Sequence, residues 1–316
     1  MKRIFILMSM CLAITSVLHG QEPVSSEKQV TDSVPEEKHS SNPFNKAFIK
    51  QQTDVIVSSV FGDSKTLNNA DSIINKFDAL PSFGIYKDNY LVVGTDLFKN
   101  PSKQNSDAKF QVSIRQRLTN SVLPFKTYFF LTYTQKAFWD VFEDSFPFRD
   151  LNFNPSLGLG KAIVYNNRLL GNINVQFEHE SNGKDSISSR SWNKISFGSS
   201  LTLNDNWTLH SKIWIPIVDG ENNPDIVHYA GWGHLGMEYT SAKRKYSASC
   251  LVTKRGGTNL NANVVMNFAI RLFSDDNQYL FVEYYNGYGE CLLNYNEYRQ
   301  RIRFGIVIKP DFLSSF

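Results

Sequence analysis

From Asn89 onward the chain consists of long stretches in which apolar and polar residues alternate one by one, and no other feature limits its fold so tightly. Phe110, Val112 and Ile114 are separated by Gln111 and Ser113; Ile213, Ile215 and Ile217 keep the same spacing, as do Ile302, Phe304, Ile306 and Ile308. Successive side chains of a β-strand point to opposite faces, so period two means strands with one greasy face. Twelve such segments are expected, at 89–98, 107–118, 126–138, 155–166, 171–181, 190–203, 206–217, 226–240, 245–255, 260–273, 277–287 and 298–310. Turn-rich pieces separate them, among them Asn105-Ser106-Asp107, Asn204-Asp205-Asn206 and Asp275-Asp276-Asn277. No helical periodicity of useful length interrupts the region.

Period two alone suits a soluble sandwich as well as a barrel, and three observations favour a membrane barrel. Many segments reach ten residues or more, whereas globular strands usually run to about 5–6. Aromatic residues recur near segment ends (Tyr90, Tyr128, Tyr133, Phe138, Trp139, Trp192, Trp207 and Trp214), as interfacial girdles require. The last residue is Phe316, as expected of outer-membrane barrels. The expected architecture is therefore an all-β, twelve-stranded antiparallel transmembrane β-barrel spanning 89–316. Composition agrees: a chain 41% hydrophobic with a mean hydropathy of −0.31 is too polar for membrane helices, while a spanning strand needs only about 9–11 alternating residues. A net charge of +3 without a basic patch gives no argument for a nucleic-acid partner.

Residues 1–20 read as an export signal: Lys2 and Arg3, an apolar core from Ile4 to Val17, and Gly20 before a cut at Gln21. Cys11 lies in that core without a lipobox. Cys250 and Cys291 remain, far apart in sequence, and are expected as free thiols. Residues 21–52, rich in Ser, Glu, Lys, Gln and Pro, have too little apolar surface to offset ordering entropy and are expected as a flexible tail. Residues 53–88, with Val55, Val57, Val60, Phe61, Ile73, Ile74 and Phe77, are expected as a periplasmic lead-in.

One apolar face is interrupted by chemistry. Ile173, Val175 and Phe177 alternate with Asn174, Gln176 and Glu178, so His179 and Ser181 continue the apolar row. After a polar turn, Ser191, Asn193, Ile195 and Phe197 repeat the pattern. If 182–190 is a hairpin loop, Asn193 faces His179 across the strand pair. A serine needs a base to attack an ester, and an imidazole needs a partner to fix its tautomer. Each residue alone has a plain structural reading: a girdle histidine, a hairpin-end serine, a polar rim amide. All three on one apolar face favour catalysis.

His179-Glu180-Ser181-Asn182-Gly183 and Ser189-Arg190-Ser191-Trp192-Asn193 resemble the active-site signature of the outer membrane phospholipase A family. Further matching blocks are Tyr133-Thr134-Gln135-Lys136, Pro147-Phe148-Arg149, Asn223-Pro224-Asp225-Ile226 and Gly287-Tyr288-Gly289-Glu290. The resemblance implies Ser181 as nucleophile, His179 as base and Asn193 as its orienter. It implies an oxyanion donor in the Gly183 N–H and a calcium ion on the Ser189 hydroxyl and Lys184 carbonyl, with Ser145 from a second subunit. Lys184 stands where relatives commonly carry Arg. Ser145 aligns across a loop two residues shorter, where Phe146 replaces a common serine. Gln135 matches a dimer-seam glutamine, or else points into the lumen.

The expected function is calcium-dependent hydrolysis of sn-1 and sn-2 acyl esters of phospholipids and lysophospholipids in the outer membrane, by a homodimer. The competing reading is a transport barrel. It requires charges lining a pore and no reactive side chains on the lipid face, so the direction of His179, Ser181 and Asn193 separates the two.

Overall fold

The computed structural model describes residues 67–218, 220–273 and 277–310. The expected signal and tail, at 1–20 and 21–52, and the terminal Phe316 lie outside the described residues. Helix α1 (Leu67–Asp78) leads to β1 (Phe83–Ile85) and β2 (Asn89–Asp96), then β3 (Ser106–Arg117), β4 (Thr127–Trp139), β5 (Phe148–Tyr165) and β6 (Arg168–Ser181). β7 (Ser191–Asn204) and β8 (Trp207–Val218) precede a short helix, α2 (Ile226–Ala230). The chain closes with β9 (Gly233–Thr240), β10 (Tyr246–Lys254), β11 (Ala262–Arg271), β12 (Gln278–Gly287) and β13 (Arg299–Ile308).

Every neighbouring pair is antiparallel, and β13 pairs with β2, so the sheet returns to its start. β1 and β2 lie along the same edge of β3, with Ile85↔Ile114 and Tyr90↔Gln111 in register. They are one stave broken at 86–88, which makes the closed barrel twelve-stranded, as the alternation required. Closure is the physical condition for spanning with strands, because lipid offers no partner to an open edge.

The faces sort as the pattern demands. Val175, Phe177, Ile195, Phe197, Ile213, Ile215 and Ile217 are exposed on the outer wall, whereas Gln176, Glu178, Lys194 and Ser196 are buried in the bore. Charges fill that bore in pairs. Lys109 Nζ lies 2.9 Å from Glu283 Oε2, Arg301 Nε lies 2.7 Å from Asp96 Oδ1, and Arg303 reaches Asp107 at 2.9 Å and Glu290 at 2.5 Å. Arg303 is 0% exposed, so its worth lies in leaving no buried charge alone rather than in net Coulomb gain. The connections at one end are long (97–105, 140–147, 182–190, 255–261 and 288–298), while the other end has tight turns at 166–167 and 205–206. Asn166 and Asn167 both take positive φ, as a two-residue hairpin turn needs. Outer-membrane barrels keep short turns on the periplasmic side, which puts the 182–190 loop outside.

Three boundaries differ from the sequence expectation. β5 begins at Phe148, not near Pro155: Leu151 and Phe153 alternate with the buried Asp150 and Asn152, in a short run of residues poor in strand propensity that ends on a proline. The stretch 226–232 is not strand: α2 folds inward, placing Ile226 against Trp192, Leu292 and Tyr295. The lead-in carries a helix whose Phe77 packs on Tyr128, Phe130 and Ala162. Arg117 caps its end, donating to the carbonyls of Phe77 (2.9 Å), Asp78 (2.7 Å) and Leu80 (2.9 Å). Cys250 and Cys291 are both buried and form no disulfide, as expected.

Arg303→Met should take a shared cation from Asp107, Glu283 and Glu290, leaving Lys109 to serve both glutamates and Arg301 and Arg149 to serve Asp107, and cost about 3–5 kcal/mol. The check is the heating temperature at which the folded, fast-migrating gel band is lost, which should fall clearly below that of the parent.

Candidate active site

β6 and β7 carry the row of polar residues, and their register sets its geometry. His179 pairs directly with Asn193, and Ser181 with Ser191. Phe177 and Ile195 on the same face are exposed, while Glu178 and Lys194, one residue away, are buried. His179, Ser181 and Asn193 therefore open outward through the wall, half-buried among apolar side chains. His179 Nδ1 lies 2.9 Å from Asn193 Oδ1. With the proton on Nδ1 this is a donor–acceptor pair that leaves Nε2 unprotonated on the other side of the ring. Ser181 is two positions along the same face, about 6.6–6.8 Å of strand rise. Its hydroxyl and the imidazole are not hydrogen-bonded to each other here; such contacts commonly tighten only once substrate is present.

The wall beside His179 is adapted on its other flank too. Between the pairs Phe153↔Ser181 and Ser156↔Glu178, Pro155 falls opposite His179 and has no N–H to give. The side-chain amide of Asn154 donates to the His179 carbonyl at 2.9 Å. Gln135 points outward, not into the lumen: its neighbours Thr134 and Lys136 line the bore, and its Oε1 accepts the Tyr133 hydroxyl at 3.0 Å. The register Gln135↔Phe153↔Ser181 puts it level with the serine, two strands away.

The 182–190 loop is held by a residue the sequence reading did not single out. Asn182 is buried; its Oδ1 accepts the Arg190 N–H at 2.9 Å, and its amide donates to the Ser188 carbonyl at 2.9 Å. Asn223 does the same for the start of β7, accepting the Ser191 N–H and donating to the Ser191 carbonyl, both at 3.0 Å. Only its membership of a matching block marked it. Tyr295 steadies the segment behind Asn223 by donating to Asp225 at 2.5 Å. Burial, then that carboxylate, push the Tyr295 phenol up to about 12, so it remains the donor.

Gly183 has a φ of +64°, and a Cβ there would meet Phe153 at 3.0 Å. Both facts reserve the position for glycine. Lys184 and Ser189 lie on the same loop. The Lys184 ammonium is held on the Arg149 carbonyl at 2.7 Å, away from any role as a ligand. Ser145 sits exposed in the 140–147 loop with a φ of +68°, and no hydrogen bond joins it to Lys184 or Ser189 within the chain. No group of three or more His, Cys, Asp or Glu side chains among the described residues is placed to hold a metal. A cation here would rest on neutral oxygens: the Ser189 hydroxyl and the Lys184 carbonyl are of the kind calcium takes, and too few for its usual six to eight.

A closed, charge-filled barrel that turns a hydroxyl, an imidazole and an amide outward is an integral outer-membrane protein fitted for chemistry on its lipid side. A family model described as phospholipase A1 matches residues 77–308. Phospholipase A1 of Escherichia coli K12 is 31% identical over 66% of this chain and 72% of its own length; that of Salmonella typhimurium is 30% identical over 72% and 81%. Among solved structures, outer membrane phospholipase A from Escherichia coli superposes with a TM-score of 0.64 at 25% identity, covering 73% of this chain and all of that one. The outer membrane phospholipase of Salmonella typhi, solved as a dimer with bound calcium, gives 0.63 at 26% identity, covering 71% and 91%. The chain belongs to the phospholipase A1 family, the enzymes of the outer membrane built on this barrel.

Gly183→Ala should leave the folded gel band intact, because the residue sits in an outer loop, yet strain at φ +64° and the contact with Phe153 should shift the backbone beside Ser181 and lower fatty-acid release by on the order of 100-fold, the scale of an ångström's misplacement. Release at the parent rate would separate Gly183 from the reaction.

Proposed function

We propose that this protein hydrolyses the sn-1 and sn-2 acyl esters of phospholipids and lysophospholipids, with Ser181 as nucleophile, His179 as base and Asn193 as its orienter. The observation that carries this reading is the 2.9 Å contact between His179 Nδ1 and Asn193 Oδ1, two register pairs from Ser181 on the lipid-facing wall. His179 Nε2 takes the Ser181 hydroxyl proton as Oγ bonds to the ester carbonyl carbon, and the carbonyl π pair moves onto oxygen. The Gly183 N–H faces that developing charge. As the tetrahedral species collapses, the ester C–O bond breaks and Nε2 returns the proton to the departing glycerol oxygen. Water then repeats the sequence on the acyl-serine, releasing fatty acid and restoring Ser181.

The amide of Asn193 orients the ring without a full negative charge to stabilise the imidazolium. Ser181→Ala should therefore reduce phospholipid hydrolysis to the blank, whereas Asn193→Ala should keep measurable activity, down on the order of 10–100-fold. Equal losses in a fatty-acid release assay on phospholipid micelles would contradict the assigned roles.

Calcium is the proposed cofactor and a second copy of the chain the proposed partner. When bound, calcium would add positive charge near the ester oxygen. Ser189 and the Lys184 carbonyl would hold it, with Ser145 of a second copy completing the set. Two observations support a dimer: one chain offers too few oxygens, and Gln135 is a polar side chain on an otherwise apolar wall, level with Ser181. Chelation should abolish activity, and calcium but not magnesium should restore it, since magnesium demands a tighter octahedron. Cross-linking in detergent should trap more dimer with calcium and a bound acyl analogue. Full activity in excess chelator would remove calcium from the reading.

A further inference from the structure

The mouth of the barrel holds a segment for which the chemistry above has no use. Residues 288–298, between β12 and β13, turn back into the bore, and Glu290, Cys291, Leu292 and Tyr295 are all buried. Their anchor is the start of β5. Asp150, with no exposed surface, accepts the Leu293 N–H at 2.8 Å and the Asn152 amide at 2.6 Å on Oδ2. Asn152 Oδ1 in turn accepts the Leu292 N–H at 3.1 Å. The other oxygen of Asp150 accepts the Asn182 amide at 3.3 Å.

Asn182 stands between Ser181 and Gly183, and its two ends do different work. Its amide nitrogen must point inward so that its oxygen can receive the Arg190 N–H at 2.9 Å and the Lys184 N–H at 3.4 Å, the bonds that shape the loop. An amide can be turned end for end at small cost unless its surroundings choose; here two groups that only accept, the Ser188 carbonyl at 2.9 Å within the loop and the Asp150 carboxylate at 3.3 Å from the barrel, choose together, and only the second ties the amide to another element. We propose that Asp150 is a positioning residue for ester hydrolysis: it couples the inward-folded segment 288–298 to Asn182, so the seating of that segment sets the direction of the Gly183 N–H. This rests on the reading of Ser181 and Gly183 given above.

The test uses the full chain in detergent with calcium, comparing the parent with Asp150→Asn and Asn152→Ala. The asparagine at 150 keeps the size but presents a donor end to Asn182. Asn152→Ala loosens only the side of the joint that faces segment 288–298. Three readouts are taken: the heat-modifiable folded band, kcat and KM on phospholipid micelles, and the rate at which a fluorophosphonate labels Ser181. Both variants should keep the folded band and KM. Kcat and labelling rate should fall together, by up to about 100-fold for Asp150→Asn, as for a group misplaced by an ångström, and by less for Asn152→Ala. Labelling of Asp150→Asn at the parent rate would overturn the proposal, as would a raised KM with kcat unchanged. Loss of the folded band in both variants would overturn it too, making Asp150 part of the barrel's framework only. If one variant alone folds, its labelling rate decides. A parent chain that the probe does not label at Ser181 overturns this inference together with the nucleophile assignment, and so is distinct from failure of the joint alone.

Discussion

In hydrocarbon a peptide N–H or C=O has no water to turn to, and leaving one unpaired costs several kcal/mol. The pairing of β13 with β2 is the answer to that cost, and every other property of the molecule follows from it. A closed sheet has one face toward lipid and one toward a bore, so its residues must alternate. The bore is too narrow for bulk water to solvate many charges separately, which is why Asp107, Lys109, Glu283, Glu290, Arg301 and Arg303 are tied to one another. Removing any one unbalances the rest, which must then share fewer partners in a site that water does not reach freely.

A wall one residue thick also decides where chemistry can be placed. His179 and Asn193 face lipid because Glu178 and Lys194 face the bore; shifting either strand by one residue would exchange the two sets. The register of β6 against β7 thus holds imidazole and amide at bonding distance with no help from flexible segments, and Asn154 completes the strand beside Pro155. Loop residues are fixed by a second device. Asn182 and Asn223 use both ends of an amide to close backbone bonds that no strand partner supplies. Sites built on strands and clipped at their loops can keep the sub-ångström placement that acyl transfer needs.

Much of this was legible because each face of the barrel meets a uniform surrounding, so a strand's sequence records its own orientation. The twelve staves and the outward direction of His179, Ser181 and Asn193 were readable on that basis. The first half of β5 was not, because its Asp and Asn residues and Pro155 read as a turn, and the loop N–H groups that hold Asp150 and Asn152 in the strand lie 140 or more residues away. Ile226–Ala230 looked like strand since its apolar residues suit either fate; contact with Trp192, Leu292 and Tyr295 settles it as a helix folded into the mouth. Helix α1 depends on Arg117, which caps it from forty residues along the chain. The clamping asparagines were invisible as clamps for the same reason: their partners are chosen by the fold, not by spacing. Ser145 is where the sequence said least, since its proposed partners lie in another molecule.

A site on the outer wall faces a difficulty that a site in a cleft does not. One barrel offers an acyl chain a single convex surface, and lipid competes for that surface at every moment. Burying a reacting ester away from water and lipid needs a second wall, and the exposed apolar rows at Val175, Phe177, Ile195 and Ile215 are the surface against which one can be laid. On the proposed reading the second wall is another copy of the same chain, which also brings the oxygen donors that a single 182–190 loop lacks. Association of two barrels is weak when both sit comfortably in lipid, since hydrocarbon is as good a neighbour as another apolar wall. The balance then turns on what lies between them. A phospholipid with its ester beside Ser181 and its chain along the seam adds contacts only the pair can make, so substrate in the outer leaflet would itself favour the assembled state. On that reading, the lipid-facing placement that would leave a lone barrel an incomplete catalyst would also make its activity report on the membrane around it.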